Sequence, residues 1–295
     1  MKLVSYAAAS AARAGVLVDG DVYDASQLFH EDNAPAASTL DAFVTAFGDR
    51  LSELSANVAE RVQQHPNARV DALANVTLLG PIAKPGKVLC IGLNYKDHVA
   101  ETGRALPQYP DIFAKFASSL IGPNDEIGAL QVTDNLDFEG ELAVVIGKRA
   151  EGVAAADALD YVAGLTVLND VTARDLQYRG TQWLAGKAVD GATPWGPALV
   201  TLDEVGDPQA LDIVTRVNGA EMQRSNTRHQ IFPIAEVIEY LTGFLSLEPG
   251  DVIATGTPEG IGAKRTPPVW LAAGDVVEIE IDRVGVLRNS VASGA

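Results

Sequence analysis

The sequence predicts a β-rich α+β protein, with a small α+β unit ahead of a larger unit built mainly of strands. Three observations predict it. Short β-type runs outnumber helical patterns beyond residue 85, one long helical stretch stands near the start, and a proline-bearing segment, "LLGPIAKPGKVLC", separates the two. At 295 residues and 47% hydrophobic, the chain can bury roughly three quarters of its unfolded surface. The expected division is residues 1–80 and 84–295.

In the small unit, "GVLVDGDVYDAS" reads as two β runs joined at Asp19-Gly20, a two-residue hairpin signal. The stretch "STLDAFVTAFGDRLSELSANVAERVQQH" has helical spacing, with Ser38 or Thr39 as cap and His65-Pro66 as stop. In the larger unit the expected strands are "KVLCIGL", "ELAVVIG", "GLTVLND", "PALVTL", "DIVTRVNG", "DVIATG" and "DVVEIEID". The clearest helix is "IAEVIEYLTGFLSL", where Ile234, Val237, Ile238 and Leu241 recur at intervals of three and four. Many strands with few interleaved helices favour a mixed or antiparallel core over a doubly wound sheet.

A formal net charge of -17 argues against nucleic acid and against anionic membranes, both of which attract basic surfaces. The one cysteine, Cys90, lies in an apolar run and suits a small buried hydrophobe in a reducing compartment. The apolar part of the N-terminal segment is short and soon meets Arg13, so it does not read as a signal peptide, and no run approaches the ~18 apolar residues of a membrane helix. A cytoplasmic setting is expected.

Four constellations carry chemistry. In "LDFEGELAVVIGK", Asp137, Glu139 and Glu141 alternate and so share one strand face. About thirty residues on, Asp170 ends the run "GLTVLND". Clustered carboxylates stay ionised together most readily around a hard divalent cation, Mg²⁺ or Mn²⁺, with Ca²⁺ as another oxygen-seeking occupant. In "GLNYKDHVAETG", Asp97 can cap a short helix that Gly103 stops, and His98 and Glu101 lie three apart on it. That spacing suits an oriented general base. In "QWLAGKAVDGATPWGP", Lys187 can reach an anionic substrate or an oxyanion. In "ATGTPEGIG", backbone amides near Gly256, with Thr257, can grip a carboxylate, although no nucleotide-loop ending is present. His30, His65 and His229 lack acidic partners at comparable spacing.

Taken in order, "GLNYKDHVAE", "LDFEGELAVVIGK", "LNDVTARDLQ", "WLAGKAVDGATPWGP" and "DVIATGTPEGIG" resemble the fumarylacetoacetate hydrolase family over about residues 84 to 290. The resemblance implies a mixed β-roll catalytic domain, a homodimer, one divalent cation and a small anionic oxo-acid substrate. It places the metal carboxylates at Glu139, Glu141 and Asp170, the His-Glu pair at His98 and Glu101, and the active-site lysine at Lys187. It puts Gln177 and Thr257 in the substrate pocket and Arg174 behind it. The small N-terminal unit resembles the appended domain of longer members. Where many relatives carry Ser-Phe after the lysine, this chain has Ala188-Val189, a difference that bears on substrate. The loop "ETGRALPQYPDIFAKF" is expected to form the pocket lid, with Lys115 touching substrate.

The reaction expected first is hydrolytic carbon-carbon cleavage of a 2,4-dioxo acid, with water activated by His98 and the oxyanion held by Lys187. Decarboxylation of oxaloacetate, tautomerisation or isomerisation of an oxo acid, and a non-catalytic metal-binding role are the alternatives, because shared fold and metal site do not fix the chemistry.

Overall fold

Strands sandwiched between two layers need apolar residues on both faces, and the two most apolar runs of the chain take that place. In the computed structural model, which describes residues 1–9, 11–32 and 37–293, every residue of the strands formed by "GELAVVI" and "VAGLTVLN" is buried.

The chain begins as a meander of β1 (Lys2–Ala8), β2 (Ala11–Val18) and β3 (Asp21–Asp24). Asp19 and Gly20 take φ of 49° and 85°, the left-handed pair that a tight two-residue hairpin demands. Then follow α1 (Ala25–Leu28), α2 (Leu40–Phe47), α3 (Leu51–Ser55), α4 (Val58–Gln64), β4 (Arg69–Ala72) and β5 (Leu78–Leu79). Thr39 caps α2, its hydroxyl accepting from the Ala42 amide, and α4 stops just before His65-Pro66. The long helical stretch is thus three pieces. Gly48-Asp49 and Asn57, weak helix formers, stand at the breaks.

The rest comprises β6 (Val88–Gly92), α5 (Lys96–Thr102), β7 (Asp111–Lys115), β8 (Leu120–Ile121), β9 (Leu136–Asp137), β10 (Gly140–Ile146), β11 (Val162–Asn169), β12 (Thr172–Ala173), α6 (Arg174–Gln177), α7 (Leu184–Lys187), β13 (Thr193–Val200), α8 (Leu202–Val205), β14 (Asp212–Val217), β15 (Ala220–Asn226), α9 (Ile234–Thr242), β16 (Val252–Ala254), β17 (Val276–Ile281) and β18 (Gly285–Ser290). A 12-stranded mixed sheet runs β4-β3-β2-β1-β13-β11-β10-β16-β6-β7, with β5 on β1 and β8 on β13. A four-stranded antiparallel sheet, β15-β14-β17-β18, covers one of its faces. The N-terminal strands are continuous with the large sheet, because β1 pairs with β13 through Lys2↔Val200 and Leu3↔Leu199.

Period-two alternation assigns the two cores. From β10, Leu142, Val144 and Ile146 face the four-stranded sheet with Ile213, Val277 and Ile279. Ala143 and Val145 face the other way, onto Phe43, Val44 and Phe47 of α2. Each buried Val, Leu or Ile contributes ~1.5–3 kcal/mol relative to exposure. At the end of α2 the backbones of Gly48 and Gly147 touch: a Cβ on Gly48 would lie 2.1 Å from the Gly147 carbonyl oxygen, and one on Gly147 would lie 2.5 Å from that of Gly48. Cys90 is fully buried and free, as its apolar context predicts.

Three local expectations need correction. The acidic entry to β10 is not one strand, since pairing stops at Asp137 and resumes at Gly140. Asp97 does not cap α5 but sits in its first turn, accepting from the His98 amide and the Ser225 hydroxyl. The expected lid loop is shorter, because its last residues form β7 along the edge of the sheet beside β6.

Candidate active site

The start of β10 and the end of β11 lie side by side, and their acidic side chains converge there. Glu139, Glu141 and Asp170 are all buried, and each offers an oxygen within 4.8 Å of the others'. Glu141 is on β10, Glu139 in the break before it, and Asp170 just past β11, tied to that break by its amide donating to the Glu139 carbonyl at 2.8 Å. Asp137 is turned away. Its carboxylate accepts from the amides of Gly262 and Ala263 and from Arg174 Nε.

Buried carboxylates need compensation, and cations supply most of it. Lys187 Nζ, at the end of α7, lies 2.8 Å from Glu139 and 2.7 Å from Asp170. Lys115 Nζ, at the end of β7, lies 2.6 Å from the second Asp170 oxygen, and Arg174 lies 2.6 Å from Glu139. Burial alone would raise the Glu139 carboxyl, but Lys187, Arg174 and His98 outweigh it and bring it down to about 2. Burial opposes the charge on Lys187 too, yet Asp170 and Glu139 hold that ammonium above its ordinary range.

Glu141 is different. It receives one hydrogen bond, from the Gly256 amide at 2.7 Å, and burial together with Asp170 and Glu139 pushes its carboxyl well above the usual range. A compact cluster of oxygen donors with one under-compensated member fits a hard divalent cation such as Mg²⁺ or Mn²⁺. Glu139, Glu141 and Asp170 are the residues that would hold it.

The glycine-rich segment after β16 does grip carboxylates with its amides, but they are the protein's own. Gly256 binds Glu141, Gly260 binds Glu101, and Gly262 and Ala263 bind Asp137. Gly256 carries φ of 100°, and a Cβ there would lie 2.7 Å from Asn94, so the close approach requires glycine. Thr257 donates to the Gly140 carbonyl and accepts from Gln223.

A cavity of ≈ 240 Å³ opens above this floor. His98 lines it from α5. His98 Nδ1 lies 3.1 Å from Glu101, whose other oxygen accepts from Gly260. Glu101 thereby orients the ring and leaves Nε2 without a protein partner among the described residues. Gln177 and Thr257 line the cavity together with Lys187, Glu139, Glu141 and Arg174. Lys115 lies instead beneath the floor, buried against Asp170 and the Val171 carbonyl. Arg104 and Phe113, from the segment expected to form the lid, and Trp183, which spacing did not single out, also line the cavity.

Comparison with known proteins follows the geometry. A family model described as fumarylacetoacetate (FAA) hydrolase C-terminal matches residues 87–292. Oxaloacetate tautomerase fahd2, mitochondrial, of Xenopus laevis is 48% identical over 227 residues, covering 76% of this chain and 71% of that protein. Oxaloacetate tautomerase FAHD2A, mitochondrial, of Homo sapiens is 49% identical over 220 residues, covering 74% and 70%. Among solved structures, fumarylacetoacetate hydrolase from psychrophilic Exiguobacterium antarcticum superposes with a TM-score of 0.83 at 34% identity, covering 99% of each chain. Maleylpyruvate hydrolase from Sphingobium sp. SYK-6, in complex with manganese (II) ion and pyruvate, gives 0.77 at 30%, covering 100% of each. Both of those tautomerases are named as mitochondrial, which lends the expected cytoplasmic setting no support. No helix among the described residues is long and apolar enough to cross a membrane.

Proposed function

The chain belongs to the fumarylacetoacetate hydrolase family, and on that premise we propose that it is a divalent-metal-dependent tautomerase of a small 2-oxo acid, with oxaloacetate as the reference substrate. The observation that carries the reading is the His98–Glu101 pair, facing a cavity whose floor is the carboxylate cluster. The choice of tautomerisation, rather than the hydrolysis that the residues first suggest, follows the relatives of about half-identical sequence.

Held by Glu139, Glu141 and Asp170, a divalent ion would act as a Lewis acid toward the oxo-acid head. The remaining chemistry is assigned to the chain. His98 Nε2 takes a proton from C3 of the keto form, and the imidazolium delivers it to O2, so one proton moves from carbon to oxygen and none is consumed. Glu101 fixes the tautomer of the neutral ring and stabilises the transient imidazolium. Lys187 has three N–H donors, two of which are committed to Glu139 and Asp170, and the third hydrogen-bonds the charge developing on O2. Trp183 and Phe113 supply apolar surface to the cavity.

Carbon-carbon hydrolysis of an acylpyruvate is the second reading, favoured by the likeness to the maleylpyruvate hydrolase. In both readings the partner is a small anionic oxo acid, and the working form a homodimer. Purified protein with Mn²⁺ separates them. Accelerated loss of enol-oxaloacetate absorbance without pyruvate supports the tautomerase. Pyruvate release from an acylpyruvate, with no effect on the enol, replaces it with the hydrolase.

A further inference from the structure

We infer that Arg104 determines specificity by binding a second carboxylate of the substrate, remote from its 2-oxo acid head. The inference deepens the oxo-acid reading above and rests on it, because it assigns a residue to the far carboxylate of such a substrate.

The cations around the cavity fall into two groups. Lys187 and Arg174, together with Lys115 beneath them, are bound to carboxylates of the floor. Arg104 and Lys264 also line the cavity but are exposed, and neither forms an ion pair with the described residues. A dianionic ligand whose head lies on the floor therefore meets its first unspent positive charge at the rim.

Arg104 is better prepared than Lys264. Its guanidinium carbon lies 5.7 Å from the centroid of the Trp183 ring. That ring is 5.5 Å from Phe113, and Lys187 Nζ lies 5.0 Å from Phe113. An alternating file of cations and rings thus runs from the floor to the rim. Trp183 is itself fixed against β6, since a Cβ on Gly92 would come within 2.5 Å of the indole. A guanidinium held over a ring, not by a carboxylate, keeps its N–H edge free for an incoming one, which it can engage bidentately. The position is anchored from the other side as well. Gly103, at φ 73°, ends α5, so Arg104 follows directly on the helix that presents His98 and Glu101. No ring lies over Lys264 among the described cation–ring contacts.

The test uses two pairs of probes on Mn²⁺-loaded full-length protein, with Arg104→Gln, Arg104→Lys and Lys264→Gln. For turnover the pair is oxaloacetate and its 4-monoethyl ester, which lacks the remote charge. Arg104→Gln should raise KM for oxaloacetate about 10- to 100-fold, the size of a lost hydrogen bond to a charged group, with kcat and the ester much less affected. Arg104→Lys, which keeps the charge but not the planar fork, should fall between. For binding without turnover the pair is malate and lactate, which share a 2-hydroxy acid head and differ by the remote carboxylate. Wild type should bind malate more tightly, and Arg104→Gln should erase the preference. Equal weakening of malate and lactate in Arg104→Gln would overturn the inference, as would loss of the preference in Lys264→Gln alone. If wild type does not turn over oxaloacetate, the tautomerase reading fails, while the malate–lactate comparison still decides the role of Arg104.

Discussion

The floor and the rim of the cavity use the same chemical groups in opposite ways. On the floor, Glu139, Asp170 and Asp137 are each met by Lys115, Lys187 or Arg174 at 2.6–2.8 Å with almost no exposure. At the rim, Arg104 and Lys264 stand in water with no acidic partner among the described residues. Desolvation makes the difference. Buried charge is tolerated only when neutralised on site, so the floor is rigid and spent, whereas an exposed charge costs little to leave open. Residues of the floor are expected to govern whether the protein works at all, and residues of the rim what it works on.

The largest expected effect breaks the floor at its under-compensated member. Glu141→Gln should weaken Mn²⁺ binding, read by titration calorimetry, by at least about 100-fold and abolish turnover; intact Mn²⁺ affinity would show that the ion sits elsewhere. Next comes Lys187→Met. Activity should fall about 10²- to 10³-fold, as for loss of one well-placed donor. The metal-free protein should lose stability as well, because Glu139 and Asp170 each lose one of two buried cationic partners and keep only Arg174 and Lys115. Added Mn²⁺ should then raise Tm more in this variant than in wild type.

The third effect is a pH dependence confined to the floor. The folded protein holds a proton on Glu141 that the unfolded chain has already released, so this group's contribution to metal-free stability falls as pH rises above the ordinary glutamate range. Glu139 acts oppositely. Its carboxyl is brought down to about 2, so its contribution is present above the ordinary range and lost as pH falls toward that value. Mn²⁺ must displace the Glu141 proton, so its affinity should climb with pH while Glu141 is still protonated, and calorimetry in buffers of different ionisation enthalpy should detect the released proton. The smallest effect belongs to the rim. Gly103→Ala places a Cβ at φ 73°, which should cost about 1–2 kcal/mol in urea unfolding and leave Mn²⁺ affinity unchanged.

The floor was legible in the sequence for the reason that makes it rigid. Buried acids must stand at strand ends beside apolar runs, and both Glu139-x-Glu141 before "LAVVIG" and Asp170 after "GLTVLN" show that pattern. His98 and Glu101 were legible through a helical interval of three. The rim has no such grammar. Glycine and proline content marks the segment carrying Arg104 and Phe113 as a pocket loop but singles out neither residue, and only the folded chain sets them in file with Trp183. Long-range pairing was equally hidden, since nothing near residue 2 announces residue 200 as its partner in β1 and β13. The loop after β16 shows why sequence does not reveal an amide's partner: spare amides look the same whether they wait for a ligand or hold Glu141, Glu101 and Asp137.

Gly48 and Gly147 meet with no side chain on either partner. Contacts between ordinary residues can drift over generations, one growing bulkier as the other shrinks, but here neither has anything left to give up. Change at either position must be met by shifting a whole helix off the sheet, so this pair sets the separation at which the leading segment of the chain lies on the strands that carry the chemistry.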